Sequence, residues 1–97
     1  MAGETPLVLL GDFNCQPESA PYQAITVKFQ DAMSVTKEPP TGATGTWNGF
    51  REIAKGRRID HIFVRGVVVA GDSIEDPRTT EGRFASDHLP VVAEIHL

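Results

Sequence analysis

The sequence predicts a small α/β domain: one sheet of four or five strands with one or two short helices. Short apolar, β-branched runs at residues 7–10, 59–64, 67–70 and 89–97 supply the strands. One segment has helical spacing, and clusters of Gly and Pro punctuate the rest. At 97 residues the chain is one domain at most. A domain of that size buries roughly two-thirds of its unfolded surface, so its core is adequate but not large.

Residues 7–10, Leu-Val-Leu-Leu, form a continuous apolar run stopped by Gly11-Asp12, the pattern of a strand buried on both faces. Residues 17–21 carry turn chemistry. Tyr22, Ile25 and Phe29 recur three and four apart, which predicts a helix over residues 22–29. The pattern of residues 31–35 fits strand or turn equally. Pro39-Pro40, Gly42 and Gly45 mark a loop. Residues 46–50 suit either a strand opening or a tight turn at Asn48-Gly49. Residues 51–57 read as a polar loop, 59–64 and 67–70 as strands, and 72–83 as an acidic, solvated connection. Residues 89–97 alternate, with Val91, Ala93, Ile95 and Leu97 on one face and Val92, Glu94 and His96 on the other. A single sheet of this kind needs a partner layer against its apolar face.

A hydrophobic content of 40% with 23% charged residues is ordinary for a globular protein. The net charge of −4 argues against a general polyanion binder, although bound cations would reverse the local sign around a phosphate ester. The single cysteine, Cys15, rules out an internal disulfide and reads as a passive small side chain, since no basic cluster flanks it. The first residues lack the charged and apolar regions of a signal peptide, and no run reaches the ~20 residues of a membrane span, so a cytoplasmic location is the default expectation.

Three acidic motifs stand at the edges of apolar runs: Gly11-Asp12-Phe13-Asn14, Arg58-Ile59-Asp60-His61 and Ser86-Asp87-His88. Asp12, Asn14, Asp60, Asp87 and His88 are the candidate site residues. Carboxylates are hard ligands suited to Mg2+ or Mn2+, which one or two of them hold together with water and a substrate phosphate. His88 is the side chain whose ordinary pKa suits proton transfer near neutrality. Asp60 would fix its ring if the two strands are neighbours. Each motif also has a plain structural reading: Gly-Asp and Asx turns after a strand, a packed His61, a surface His96, and solvated acids at Asp72, Glu75, Asp76 and Glu81. Lys55, Arg57 and Arg58 fit a phosphate or a solvated face equally well, and Trp47 and Phe50 read first as core aromatics. Dispersed acids with a His among them argue against a calcium-loop interaction module, which would cluster its acids in one loop.

Taken together and in this order, the three motifs resemble the C-terminal half of the endonuclease/exonuclease/phosphatase superfamily. The stretch 45–50, Gly-Thr-Trp-Asn-Gly-Phe, is similar to the loop before the second motif in bacterial members. The resemblance implies one half of a four-layer α/β sandwich, with one mostly antiparallel mixed sheet and its short helices. It implies a metal-dependent phosphoesterase in which water attacks a phosphate ester in line. Asp12 and Asn14 would position the water and the phosphoryl oxygen, and Asp60 would orient His88 against the scissile phosphate. Asp87 and Asp12 would belong to the Mg2+ (or Mn2+) set, with Asn48 and Arg58 as substrate contacts. Nucleic acid, nucleotide, phosphoinositide and sphingolipid headgroups are all substrates of that class.

Family members also carry an N-terminal half with an Asn, a metal-binding Glu and a further His or Tyr, and no residues here match those. Residues 1–97 are therefore expected to be a partial domain, with little activity alone. The parent would be a longer phosphoesterase; the alternatives are a natural half completed by a second chain, or a non-catalytic metal-binding or interaction module.

Overall fold

The structure, a computed structural model, describes residues 5–97. Its elements run β1 (Leu7–Asp12), α1 (Ala20–Thr26), β2 (Gln30–Asp31), α2 (Ala32–Val35), β3 (Thr41–Gly42), β4 (Asp60–Arg65), β5 (Val68–Ile74) and β6 (Val91–His96). The mixed α/β class and the mostly antiparallel pairing are as expected, but the strands hydrogen-bond as two three-stranded ladders, β1-β4-β2 and β3-β5-β6. The reason lies at β4. Its whole length pairs with β1, from Leu7↔Arg65 to Asp12↔Asp60, and its other edge takes the two residues of β2 at Val64 and Phe63. With both edges occupied, β4 cannot pair with β5, although Gly66 and Val67 alone separate them in sequence.

β5 instead pairs antiparallel with β6, with an irregularity between Val69 and Gly71, and parallel with the short β3. Gly42 makes that parallel approach possible, because a Cβ there would sit 2.0 Å from the Ile74 carbonyl oxygen. α2 packs on both β4 and β5 and so joins the ladders. Its Ala32 meets Val64 and Val69 in one buried cluster, flanked by Ile62, Ala93 and Ile95. A second cluster gathers Cys15, Tyr22 and Phe63, with Phe13, Ile25 and Phe29 against it. Burying a ring such as that of Phe63 contributes roughly 2–3 kcal/mol. Cys15 is thus a small core residue, as its surroundings in sequence suggested.

Four local expectations are corrected. α1 begins two residues early, because Pro21 preorganises a first helical turn, and it ends at Thr26 before Phe29. Residues 30–35 are a strand pair followed by a helical turn, which Asp31 caps through its Oδ1 and the Met33 amide. β1 is an edge strand with Leu7 42% and Leu10 66% exposed rather than buried on both faces, since β4 is its sole strand partner among the described residues. β5 runs on to Ile74, so Asp72 is buried within a strand instead of lying in a solvated connection. Neither Asp72 carboxylate oxygen has a hydrogen-bond partner among the described residues, and burial pushes its pKa up to about 6.

Candidate active site

The register that pairs Asp12 with Asp60 places both carboxylates at one end of the β1-β4 ladder. Beyond it, Phe13 N–H still donates to the Ile59 carbonyl, and the chain turns as Asn14 N–H donates to Asp12 Oδ1 at 2.8 Å. Asn14 adopts φ +49°, a left-handed conformation that Asn tolerates better than most residues. His88 closes the group. Its Nδ1 lies 2.8 Å from Asp60 Oδ2, and its Nε2 lies 3.8 Å from Asp12 Oδ2. A carboxylate can only accept, so His88 Nδ1–H donates to Asp60, and Nε2 faces Asp12 and solvent. The hydrogen bond that His88 donates to Asp60 raises the His88 pKa above its ordinary value, with smaller help from the charges of Asp60, Asp12 and Asp87.

Two residues of the 45–50 stretch hold this pair in place. Thr46 is fully buried, and its Oγ1 accepts from the amides of Ile59 at 2.9 Å and Asp60 at 3.2 Å. Its own carbonyl accepts from Leu89 N–H at 2.8 Å, so one residue is tied to the backbone beside both Asp60 and His88. Asn48, also buried, donates from Nδ2 to the Ser86 carbonyl and from its amide to the Asp87 carbonyl. Its Oδ1 accepts from Phe50 N–H at 2.7 Å, closing the turn that the Asn-Gly pair suggested. Gly49 is required in that turn, because a Cβ there would sit 2.7 Å from the Trp47 ring. Asn48 therefore braces the Ser86-Asp87-His88 loop, and its side-chain bonds run to backbone.

Arg58, expected as a substrate contact, is engaged inside the protein instead. Its guanidinium spans both oxygens of Asp31, at 2.7 and 3.3 Å, and the pair is nearly sealed from solvent, with side-chain exposures of 11% and 2%. Tyr22 Oη–H adds a bond of 2.6 Å to Asp31 Oδ2. Burial works to raise the Asp31 pKa, but the Arg58 and Tyr22 hydrogen bonds override it and hold the carboxyl below its usual range. The same guanidinium donates to His61 Nδ1 at 3.1 Å, and His61 Nε2 lies 2.6 Å from the Cys15 carbonyl. Arginine cannot accept, so Nδ1 must be the acceptor and Nε2–H the donor: His61 is neutral. Burial lowers its pKa, in keeping with that tautomer. His61 is the packed residue that its place in an apolar run suggested, with tilted and edge-to-face contacts to Phe13, Tyr22 and Phe63.

The structure thus brings together Asp12, Asp60 and His88, with one potential ligand atom of each within 4.8 Å of the others. Asp87 stands outside that group, although its charge reaches His88. The donor set suits a hard divalent cation, for which one or two carboxylates suffice and water and phosphate supply the rest. His88 Nδ1 is already committed to Asp60, so the ligand atoms on offer are the oxygens of Asp12 and Asp60 and the free His88 Nε2. Among expected residues, Asn14 and Asp12 are exposed at the same strand end. Thr46 and Asp31 were missed. Their signal was indirect, a buried-looking Arg58 that needs a counter-ion and a Thr between two site motifs.

Comparison with known proteins agrees with this fold. The chain matches the Endonuclease/Exonuclease/phosphatase family over residues 2–88. No curated protein matches it. Among solved structures, an endonuclease/exonuclease/phosphatase from Bacteroides vulgatus is 33% identical with a TM-score of 0.84, covering 100% of this chain and 38% of its own. A functionally unknown conserved protein from Enterococcus faecalis V583 is 33% identical at TM-score 0.82, covering 94% and 36%. A mannosyl-6-phosphatase from Bacteroides thetaiotaomicron VPI-5482 is 30% identical at TM-score 0.80, covering 95% and 38%. The chain spans a little over a third of the length of these relatives. With the motifs, the fold and the sequence match in agreement, this chain belongs to the endonuclease/exonuclease/phosphatase family.

Proposed function

We propose that the chain supplies the carboxylate–imidazole wall of a Mg2+-dependent phosphoesterase. The observation that carries the reading is the His88 Nδ1–Asp60 Oδ2 bond of 2.8 Å, which turns Nε2 toward Asp12 at a solvent-reached strand end. Held this way, His88 in its protonated form donates from Nε2 to a phosphoryl oxygen, and Asp60 stabilises the imidazolium. Asp12, braced by the Asn14 backbone N–H, orients the attacking water or accepts its proton, and the exposed Asn14 side-chain amide donates to a phosphoryl oxygen. A cation held by Asp12 and Asp60 would offset charge on the phosphate. The exposed apolar β1 supports the further reading that a covering layer, from a longer chain or a second one, completes the site, with low turnover until it does.

A phosphomonoester of a sugar is the first substrate to test, because one relative is a mannosyl-6-phosphatase; phosphodiesters complete the panel. Phosphate release is measured with and without Mg2+, and in His88→Ala and Asp12→Asn. Release that needs Mg2+ and falls at least about a hundredfold in both variants supports the assignment. Full activity in both variants overturns it.

A further inference from the structure

Outside the catalytic group, the structure opens a groove of about 740 Å³ lined by Phe50, Arg51, Arg78, Arg83, Phe84 and Glu81, with the backbone of the Thr79–Gly82 turn. Two of its lining residues are linked to the His88 loop. Phe50 hangs from Asn48, whose amide also holds Ser86, and Phe84 lies four residues before His88, at most about 14 Å along the chain.

The contents of this groove are unusual for an acidic chain. Three arginines meet two aromatic rings. Asp76 engages Arg78 through both carboxylate oxygens, at 2.8 and 2.9 Å, and lays its guanidinium over the Phe84 ring at 3.8 Å. That arginine is a fixed, flat platform. Arg51 and Arg83 are exposed, and among the described residues neither side chain pairs with a carboxylate, so their charge is available to a ligand. Phe50 is 65% exposed at φ +59°, a left-handed conformation that costs a bulky residue energy and presents its ring to solvent rather than to the core. A strained exposed aromatic beside two uncommitted guanidiniums suits a ligand with a ring and an anionic group. Glu81 is the opposing charge; it limits the groove to a compact anion near Arg51 and Arg83 and offers an acceptor to ring hydroxyls.

We propose that this groove is a specificity site for a second phosphate, carried on the ring of the substrate's leaving group. The scissile phosphate sits at Asp12 and His88, the ring crosses toward Phe50 and Phe84, and the second phosphate is bound by Arg51 and Arg83. The assignment rests on the phosphoesterase reading for its direction, but the groove has its own readout in binding.

The test is calorimetric titration of the full chain with Mg2+ present, using two matched pairs: glucose 6-phosphate against glucose 1,6-bisphosphate, and adenosine 5′-monophosphate against adenosine 3′,5′-bisphosphate. At least one bisphosphate is expected to bind about tenfold more tightly than its monophosphate. Which pair shows the gain tells a sugar from a nucleoside. In the Arg51→Ala/Arg83→Ala double variant, whose changes are at exposed positions, the two members of that pair bind alike. Equal binding of mono- and bisphosphates in the unaltered chain, or a gain that survives the double variant, overturns the groove. If hydrolysis proceeds without any such preference, the groove alone falls. A gain in binding with no hydrolysis of any ester, even once the covering layer completes the site, leaves the groove standing and overturns the hydrolase reading.

Discussion

Two polar groups separated by a single residue in one motif have opposite fates. Arg58 is turned inward to Asp31, Tyr22 and His61, in a hub nearly closed to water. Asp60 is turned outward to His88, whose side chain is 32% exposed, and to Asp12. Both are acid–base contacts of similar length, 2.7 and 2.8 Å. Their burial differs, and burial decides what each can do. In the hub both terminal nitrogens of Arg58 and the Tyr22 hydroxyl have acceptors inside the protein, so the group ties β2, α1 and β4 together and is turned away from a ligand. In the outer pair the imidazole keeps Nε2 free, so the same chemistry becomes available to a substrate.

The sharpest way to break the comparison is to open the hub. Arg58→Ala leaves the Asp31 carboxylate buried without its counter-ion, and is expected to cost roughly 4 kcal/mol of stability, read as a lower urea midpoint. A loss below about 1 kcal/mol would mean that the hub is as loosely coupled as a surface pair. The lowered Asp31 pKa gives this contribution a direction. It is present above the carboxyl's unfolded value, near 3.8, and is lost as pH falls through the lower folded value.

Asp72 is the hub's contrast within the core: a buried acid without a hydrogen-bond partner among the described residues. Its folded pKa of about 6 stands above the ordinary carboxyl value of 3.8, so the sign reverses. The protonated form is favoured in the fold below about pH 4, and that advantage disappears as pH rises through about 6. A rise of about two pH units corresponds to roughly 3 kcal/mol of destabilisation at pH 8 relative to pH 4. Asp72→Asn should therefore raise Tm relative to the unaltered chain at pH 8 far more than at pH 4. An equal change at the two pH values would show that Asp72 is hydrated in solution.

These two acids also show how much was legible in the sequence. The strand-end motifs announced themselves, because Asp12, Asp60 and His88 each follow or precede an apolar β-branched run, and antiparallel register brought them to one end. The class of fold followed from the same runs. Asp31 and Asp72 could not be placed that way. Asp31 lies in a two-residue strand, too short for any periodicity, and its role depends on an arginine 27 positions away. Asp72 sits among glycine and serine, a composition that reads as loop, yet pairing with Ala93 carries it into the sheet. Phe50 reversed the usual rule for aromatics, since the Gly49 turn forces it outward while Trp47 stays half-buried beneath Arg57.

Thr46 belongs to both sides of the comparison, being a buried residue that serves the exposed pair. Thr46→Val keeps the shape and removes the Oγ1 acceptor, leaving the Ile59 and Asp60 amides without it. The expected loss is about 2 kcal/mol. A merely structural role would end there. A positioning role adds a second change, movement of the His88 ring resonances and of its pKa without any change at His88 itself.

The smallest effect is expected at the outer pair. His88→Ala removes a half-exposed side chain whose partners, Asp60 and Asp12, can turn to water, so its stability cost should stay within about 1 kcal/mol. The informative measurement is the titration of His88 itself by NMR. Asp60 raises the His88 pKa, so the unaltered ring titrates above 6.5, and Asp60→Asn should bring it down toward that value. By linkage the pair's small contribution is present below the unfolded value near 6.5 and is lost as pH rises through the folded value. A His88 titration unmoved by Asp60→Asn would break the outer pair as a unit. The contact at 2.8 Å would then be a geometric neighbour, and the free Nε2 would have no carboxylate behind it to hold a proton near neutral pH.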